Sequence, residues 1–133
     1  MKKDIPIPKV KDIGVAIVKE EIEGELVWRV YLINYNSFLL KNVLISSRGY
    51  GNINDLKKKT SSFSHFLGDV NEKSFKPFEL INESVFGLSN EFLVTYYVND
   101  VIYDKKYIFL PESIQEKNFT AIPLLKKKGV LIK

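Results

Sequence analysis

Between Leu26 and Arg48 the chain reads LVWRVYLINYNSFLLKNVLISSR, and the alternation in that stretch limits what it can become. Trp28, Val30 and Leu32 fall at every second position, interleaved with Arg29, Tyr31 and Ile33. Asn34, Tyr35, Asn36 and Ser37 interrupt the run, and Val43, Ile45 and Ser47 resume it. A period of two is that of a β-strand, and it sets the first trio on one face of a pleat. Trp28 is the chain's single tryptophan, and an indole is too large and apolar to leave in water when a second sheet can cover it. The stretch therefore predicts two long strands with a polar corner between them, forming the floor of a sandwich core.

The rest of the chain extends the same pattern. Asp12 to Ile22 is an expected strand with apolar residues on both faces, Ile13, Val15 and Ile17 opposite Gly14, Ala16 and Val18. Such a strand must be covered on both sides. Glu23, Gly24 and Glu25 suit a tight reversal into Leu26 to Tyr35. A third strand is expected at Asn42 to Arg48, followed by a loop at Gly49 to Asp55 closed by Lys57, Lys58 and Lys59. Thr60 to Leu67 reads as a short edge strand with its serines and His65 in water. Residues 74 to 82 form a strand that Pro77 confines to an edge or a bulge. The loop Glu83 to Asn90 carries Val85, Phe86 and Leu88 to plug one end of the sandwich. Glu91 to Val98 and Lys105 to Leu110 make the last hairpin, turning through Asn99 to Asp104. After Pro111, Glu112 to Lys117 suits one helical turn. The tail ends on Val130, Leu131 and Ile132, an apolar triplet that must dock on its own core or on a neighbour.

The pattern W-x-V-x-L-x-N, then a turn and L-K-N-V-L-I-S, resembles a strand pair of immunoglobulin-like and fibronectin-type-III-like sandwiches. The resemblance spans roughly residues 12 to 110, and LVTYYV with the hairpin after it fits the final two strands of such a domain. It implies an all-β, immunoglobulin-like antiparallel sandwich of about seven strands and a bias towards binding roles. It carries no catalytic residue across, because fold alone does not fix function. The expected organisation is an extended lead-in at 1–11, a β-sandwich at 12–110, and a helical turn with an extended docked tail at 111–133.

The 133 residues suffice for one hydrophobic core. The absence of cysteine excludes disulfides, thiolate metal sites and a cysteine nucleophile. No apolar run is long enough to span a bilayer as a helix. Asp4, Pro6, Pro8 and Lys9 break any apolar leader after Lys2 and Lys3, so a cytoplasmic protein is expected. The net charge of +4 comes from lysine, with arginine only at Arg29 and Arg48. Arginine is the usual bidentate reader of phosphates and guanine edges, so this basicity argues only weakly for nucleic acid.

No complete catalytic constellation is found, and a hydrolase around His65 ranks third among the readings. Ser61, Ser62, Ser64, His65 and Asp69 crowd into SSFSHFLGD. Neighbours on a strand point to opposite faces, and triad members converge from distant segments, so a polar edge strand is expected instead. Glu79 with Glu83, and Asp100 with Asp104, read as rim and turn carboxylates. Asp69, Asn71 and Glu72 start a D-x-N pattern without the glycine or distal glutamate of a calcium loop. Gly49 and Gly51 lack the lysine and following helix of a phosphate-binding loop. Two runs, Lys57, Lys58, Lys59 and Lys126, Lys127, Lys128, are the candidate anion contacts, beside Tyr50, Phe63 and Phe66. No catalytic, cofactor-binding or metal-binding residue is assigned, and no small-molecule substrate is identified. The expectation is a non-enzymatic interaction module that binds a protein partner or itself, through an edge strand or through Val130, Leu131 and Ile132. The alternative is binding to nucleic acid or an anionic surface through the lysine runs.

Overall fold

The computed structural model describes residues 8–133. The fold is all-β, with two antiparallel sheets and two 3₁₀ turns at Glu83–Val85 and Glu116–Asn118. The strands are β1 (Ile13–Ile22), β2 (Glu25–Asn34), β3 (Leu40–Ile53), β4 (Leu56–Lys59) and β5 (Phe63–Val70). They continue as β6 (Ser74–Ile81), β7 (Ser89–Val98), β8 (Val101–Phe109), β9 (Thr120–Ile122) and β10 (Lys127–Ile132). One sheet runs β6-β2-β1-β10-β9. The other runs β4-β3-β7-β8, with β5 also paired to β3. β3 is long enough to take β5 along its first half and β4 along its second, on the edge away from β7.

Ten strands replace the expected seven: β4, β9 and β10 are added, and β4 has a local cause. Asn54 and Asp55 both hold positive φ, as the mirror-image two-residue hairpin turn requires. The expected loop at Gly49 to Asp55 is therefore a hairpin, with β3 running on to Ile53 and Lys57 to Lys59 inside β4. Glu23 with Gly24, and Asn99 with Asp100, close β1–β2 and β7–β8 in the same way. β6 is an edge strand whose register slips opposite Val30 and Tyr31, where Pro77 interrupts the ladder.

Trp28, Val30 and Leu32 do line the core, facing Ile45, Phe92, Val94 and Phe109 from the other sheet. The Trp28 ring is met edge-on by Phe86 at 5.0 Å and Phe119 at 5.9 Å, and its Nε1–H donates to Glu83 Oε1 at 3.0 Å. The 83–90 loop thus plugs that end of the sandwich, with Phe86 and Leu88 buried. The polar corner is a buried clasp. Asn34, 0% exposed, donates from Nδ2 to the carbonyls of Phe38 and Asn71 and accepts the Asn36 N–H at Oδ1. Asn36 in turn donates to the Lys11 carbonyl, tying the entry of β1 to the corner.

Beyond residue 110 the chain pairs into the first sheet. β10 pairs with β1 from Val15↔Ile132 to Val18↔Gly129, and β9 pairs with β10, so residues 120–132 belong to the sandwich itself. Val130 enters the main core, while Leu131 packs on a second cluster of Ala16, Val18, Tyr31, Ile33, Ile122 and Leu125. That cluster covers the outer apolar face of β1 and answers its double-sided pattern. The expected extended lead-in at 1–11 falls partly outside the described residues; from 8 onward, Val10 packs against the core. The helical turn expected at Glu112 to Lys117 is a 3₁₀ turn shifted to Glu116–Asn118.

Candidate interaction surface

The two lysine runs do not meet. Lys57, Lys58 and Lys59 are exposed on β4, an end of one sheet, and Lys126, Lys127 and Lys128 lie at the turn into β10 in the other. β6 stacks over β5 through Ser47 and His65 contacts to Glu79, which puts the β10 and β9 side at the opposite flank from β4. Lys127 is also neutralised, since its Nζ lies 2.9 Å from Glu20 Oε2. Glu20 is the centre of a compact cluster. Arg29 Nε–H donates to its Oε1 at 2.6 Å, and the Tyr31 hydroxyl donates to the same oxygen at 2.6 Å. Partial burial pushes the Glu20 carboxyl up, but hydrogen bonds from Tyr31 and Lys127 and the charges of Arg29 and Lys127 outweigh it and hold it below the usual carboxylate value.

Val130, Leu131 and Ile132 pair with β1, Val130 buried in the main core and Leu131 and Ile132 half-buried against the two apolar clusters. β10 pairs with β1 along residues 129–132 and with β9 along residues 127–129, so Gly129 alone has a strand on each side.

His65 is half-buried, not solvated as expected of an edge strand. Its Nε2 lies 2.7 Å from Glu79 Oε1, its ring lies 5.6 Å from that of Phe78, and Ser47 Oγ–H donates to the same Glu79 oxygen at 2.5 Å. Ser61, Ser62, Ser64 and Asp69 take no part. The assembled group places a carboxylate between serine and imidazole, whereas nucleophilic activation needs the imidazole between serine and carboxylate. It bridges β3, β5 and β6 and ties the two sheets together beside a cleft of about 210 Å³ lined by Ser47, Thr60, Phe63, Glu79 and Asn90. Sequence spacing could not have found it, because Ser47, His65 and Glu79 come from three strands. Glu83 is engaged by Trp28, so Glu79 and Glu83 do not act as a pair. Among the described residues no cluster of three or more histidine and acidic side chains is placed to hold a metal ion.

The second sheet leaves its outer face and its β8 edge unengaged. Leu44, Phe66, Tyr97, Ile102 and Ile108 are exposed there, with Leu44 opposite Phe66 and Tyr97 opposite Ile102 in adjacent strands. The other edges are interrupted or short: β6 by Pro77 and its bulge, β9 and β4 by their lengths of three and four residues, β5 by register shifts against β3, and β10 by the three residues, Val130, Leu131 and Ile132, that β9 leaves uncovered. β8 differs, with nine residues paired to β7 in unbroken register and no proline or glycine. The two-residue turn makes Val98 and Val101 a hydrogen-bonded pair, so the alternate residues Ile102, Asp104, Lys106 and Ile108 turn their backbone N–H and C=O groups away from the sheet. Those groups have no partner among the described residues. No protein-family model matches the chain, and no curated protein matches its sequence.

Proposed function

We propose that the chain is a non-enzymatic interaction module of immunoglobulin-like architecture that self-associates. The observation that carries this reading is β8, a long regular edge with unpaired outward backbone groups, bordering a face that exposes Leu44, Phe66, Tyr97, Ile102 and Ile108. An exposed edge is a template for another strand, and exposed apolar side chains beside it add area to any pairing. The immunoglobulin-like assignment draws support from strand order. β1, β2 and β6 stand as A, B and E in one sheet, and β3, β7 and β8 as C, F and G in the other. β10 adds a strand beyond A.

The test is size-exclusion chromatography with light scattering over a range of protein concentration and salt, with the 260 to 280 nm absorbance ratio recorded. A mass that rises with concentration and is free of nucleic acid supports self-association. A monomer at every concentration overturns it. Material absorbing at 260 nm that is shed at high salt would instead favour the anionic-surface alternative through Lys57, Lys58 and Lys59.

A further inference from the structure

We infer that two copies join β8 to β8 in antiparallel register about a two-fold axis at Lys105, making one continuous sheet across the pair. The inference rests on the self-association reading and adds the surface and the register to it.

β8 reads VIYDKKYIF, and about Lys105 it is matched in both directions. Ile102 balances Ile108, Tyr103 balances Tyr107, and Val101 balances Phe109, while Asp104 and Lys106 are opposite charges at equal distance from the centre. Residues facing each other across an antiparallel pair share a face of the sheet, so a symmetric pairing of β8 must be centred on a residue. Centred on Asp104 it sets aspartate against aspartate, and centred on Lys106 it sets lysine against lysine and Asp104 against Ile108. Centred on Lys105 it sets Asp104 against Lys106 twice and Ile102 against Ile108 twice. Neither Asp104 nor Lys106 has an ion-pair partner among the described residues. The backbone agrees with the side chains. Ile102, Asp104, Lys106 and Ile108 point their N–H and C=O groups outward, and in this register they are the residues that exchange hydrogen bonds with the second copy.

Lys105 limits the strength of the pair. It faces the inner side, with Nζ 4.9 Å from the Tyr107 ring centroid, and the axis brings two such lysines together. Like charges directly opposite are unfavourable, and a charge pointing inward from an edge strand restrains edge pairing. A nine-residue strand spans roughly 30 Å and buries less than a standard protein interface, so reversible association is expected, with a dissociation constant on the order of micromolar to millimolar.

The experiment uses Asp104→Lys and Lys106→Asp, both exposed changes, in sedimentation velocity up to about 1 mM protein. Each variant alone places like charges opposite each other at both positions and is expected to self-associate about tenfold more weakly than the parent, or worse. An equimolar mixture restores both attractions and is expected to regain parental association as a one-to-one pair. If the parent associates but the variants do so equally well, or the mixture regains nothing, the register is wrong and the self-association reading stands. If the parent stays monomeric throughout, both fall. A second readout uses the absence of native cysteine. Lys105→Cys is expected to cross-link to its own copy on mild oxidation. Asp104→Cys is not, because the register sets the two Cα atoms roughly 8 Å apart, beyond disulfide reach. Equal cross-linking of the two, or none at Lys105, overturns the register.

Discussion

Gly129 tests the placement of the C-terminal strand directly. It lies in β10 between Val18 of β1 and Thr120 of β9, with neighbours on both sides. A Cβ added there would fall inside van der Waals contact with the Ile17 carbonyl oxygen, and 3.1 Å from both Ile122 Cδ1 and Val18 Cγ2. The side chains could turn away, but the carbonyl belongs to the backbone of the adjoining strand, so Gly129→Ala must push β10 away from β1. Overpacking a core costs about 1–3 kcal/mol, and a backbone obstacle places this substitution near the upper end. The unfolding entropy of a 133-residue chain is about 0.28 kcal/mol/K, so about 3 kcal/mol lowers the melting temperature by about 10 °C. The assay is a melt followed by near-ultraviolet circular dichroism and Trp28 fluorescence, with a urea midpoint alongside. Lys128→Ala, one residue away and exposed, is the control and should stay within about 0.5 kcal/mol of the parent. A Gly129→Ala protein that melts within about 2 °C of the parent would refute a β10 held between β1 and β9.

Other consequences are equally direct. Asn34→Ala strips the carbonyls of Phe38 and Asn71 of a buried donor and should lower stability by about 2–3 kcal/mol in urea unfolding, whereas Asn52→Ala on the exposed surface should not. Burial, with the charge of Tyr103 adding to it, raises the Tyr96 hydroxyl to about 12, and burial raises Tyr107 further. Because these raised groups stay protonated in the fold, their stabilisation is complete below about pH 10 and is lost as pH rises through the folded values. A tyrosinate absorbance titration should therefore leave both silent near pH 10 and release them with unfolding. For Glu20 the sign is reversed, because its folded value lies below the ordinary 4.5. Its contribution is present above that value and lost as pH falls through the folded one, so the stability gap between Glu20→Gln and the parent should narrow as the pH drops below 4.5.

Strand alternation made the inner layer legible. Trp28, Val30, Leu32, Ile45, Phe92 and Val94 stand in the core because residues two apart share a face. The doubled apolar pattern of β1 also signalled a cover on its outer side, although it did not say that residues 122–125 supply it. Pairings separated by most of the chain leave no local trace, which is why β10 against β1 read as a detached tail. The hairpin at Asn54 and Asp55 was missed for a different reason. Gly49 and Gly51 suggested a loop, but Gly49 lets Thr60 approach, with its hydroxyl 2.7 Å from the Gly49 N–H, and the strand passes straight through. His65 was misplaced because the carboxylate that holds it comes from another sheet.

The two sheets also differ in how they meet water, and that difference underlies the proposed β8 interface. The outer side of β1 and β2 is closed by Ile122 and Leu125 and by the Glu20, Arg29, Tyr31 and Lys127 cluster, so its polar and apolar groups are already satisfied internally. No described segment crosses the outer side of β3, β7 and β8. There Arg48 and Glu91 pair at 3.0 Å near one end, while Ile102 stays 51% exposed and Ile108 37%. A single exposed isoleucine is unremarkable on a protein surface, but two on a free edge, spaced to face each other across a two-fold axis, gain cover only from a second strand. Replacing both Ile102 and Ile108 with threonine keeps the β-branched backbone preference while removing apolar contact. It should leave the melting temperature close to the parent's and weaken self-association. A fall in stability with association intact would place the two isoleucines within the monomer's own packing and move the interface elsewhere.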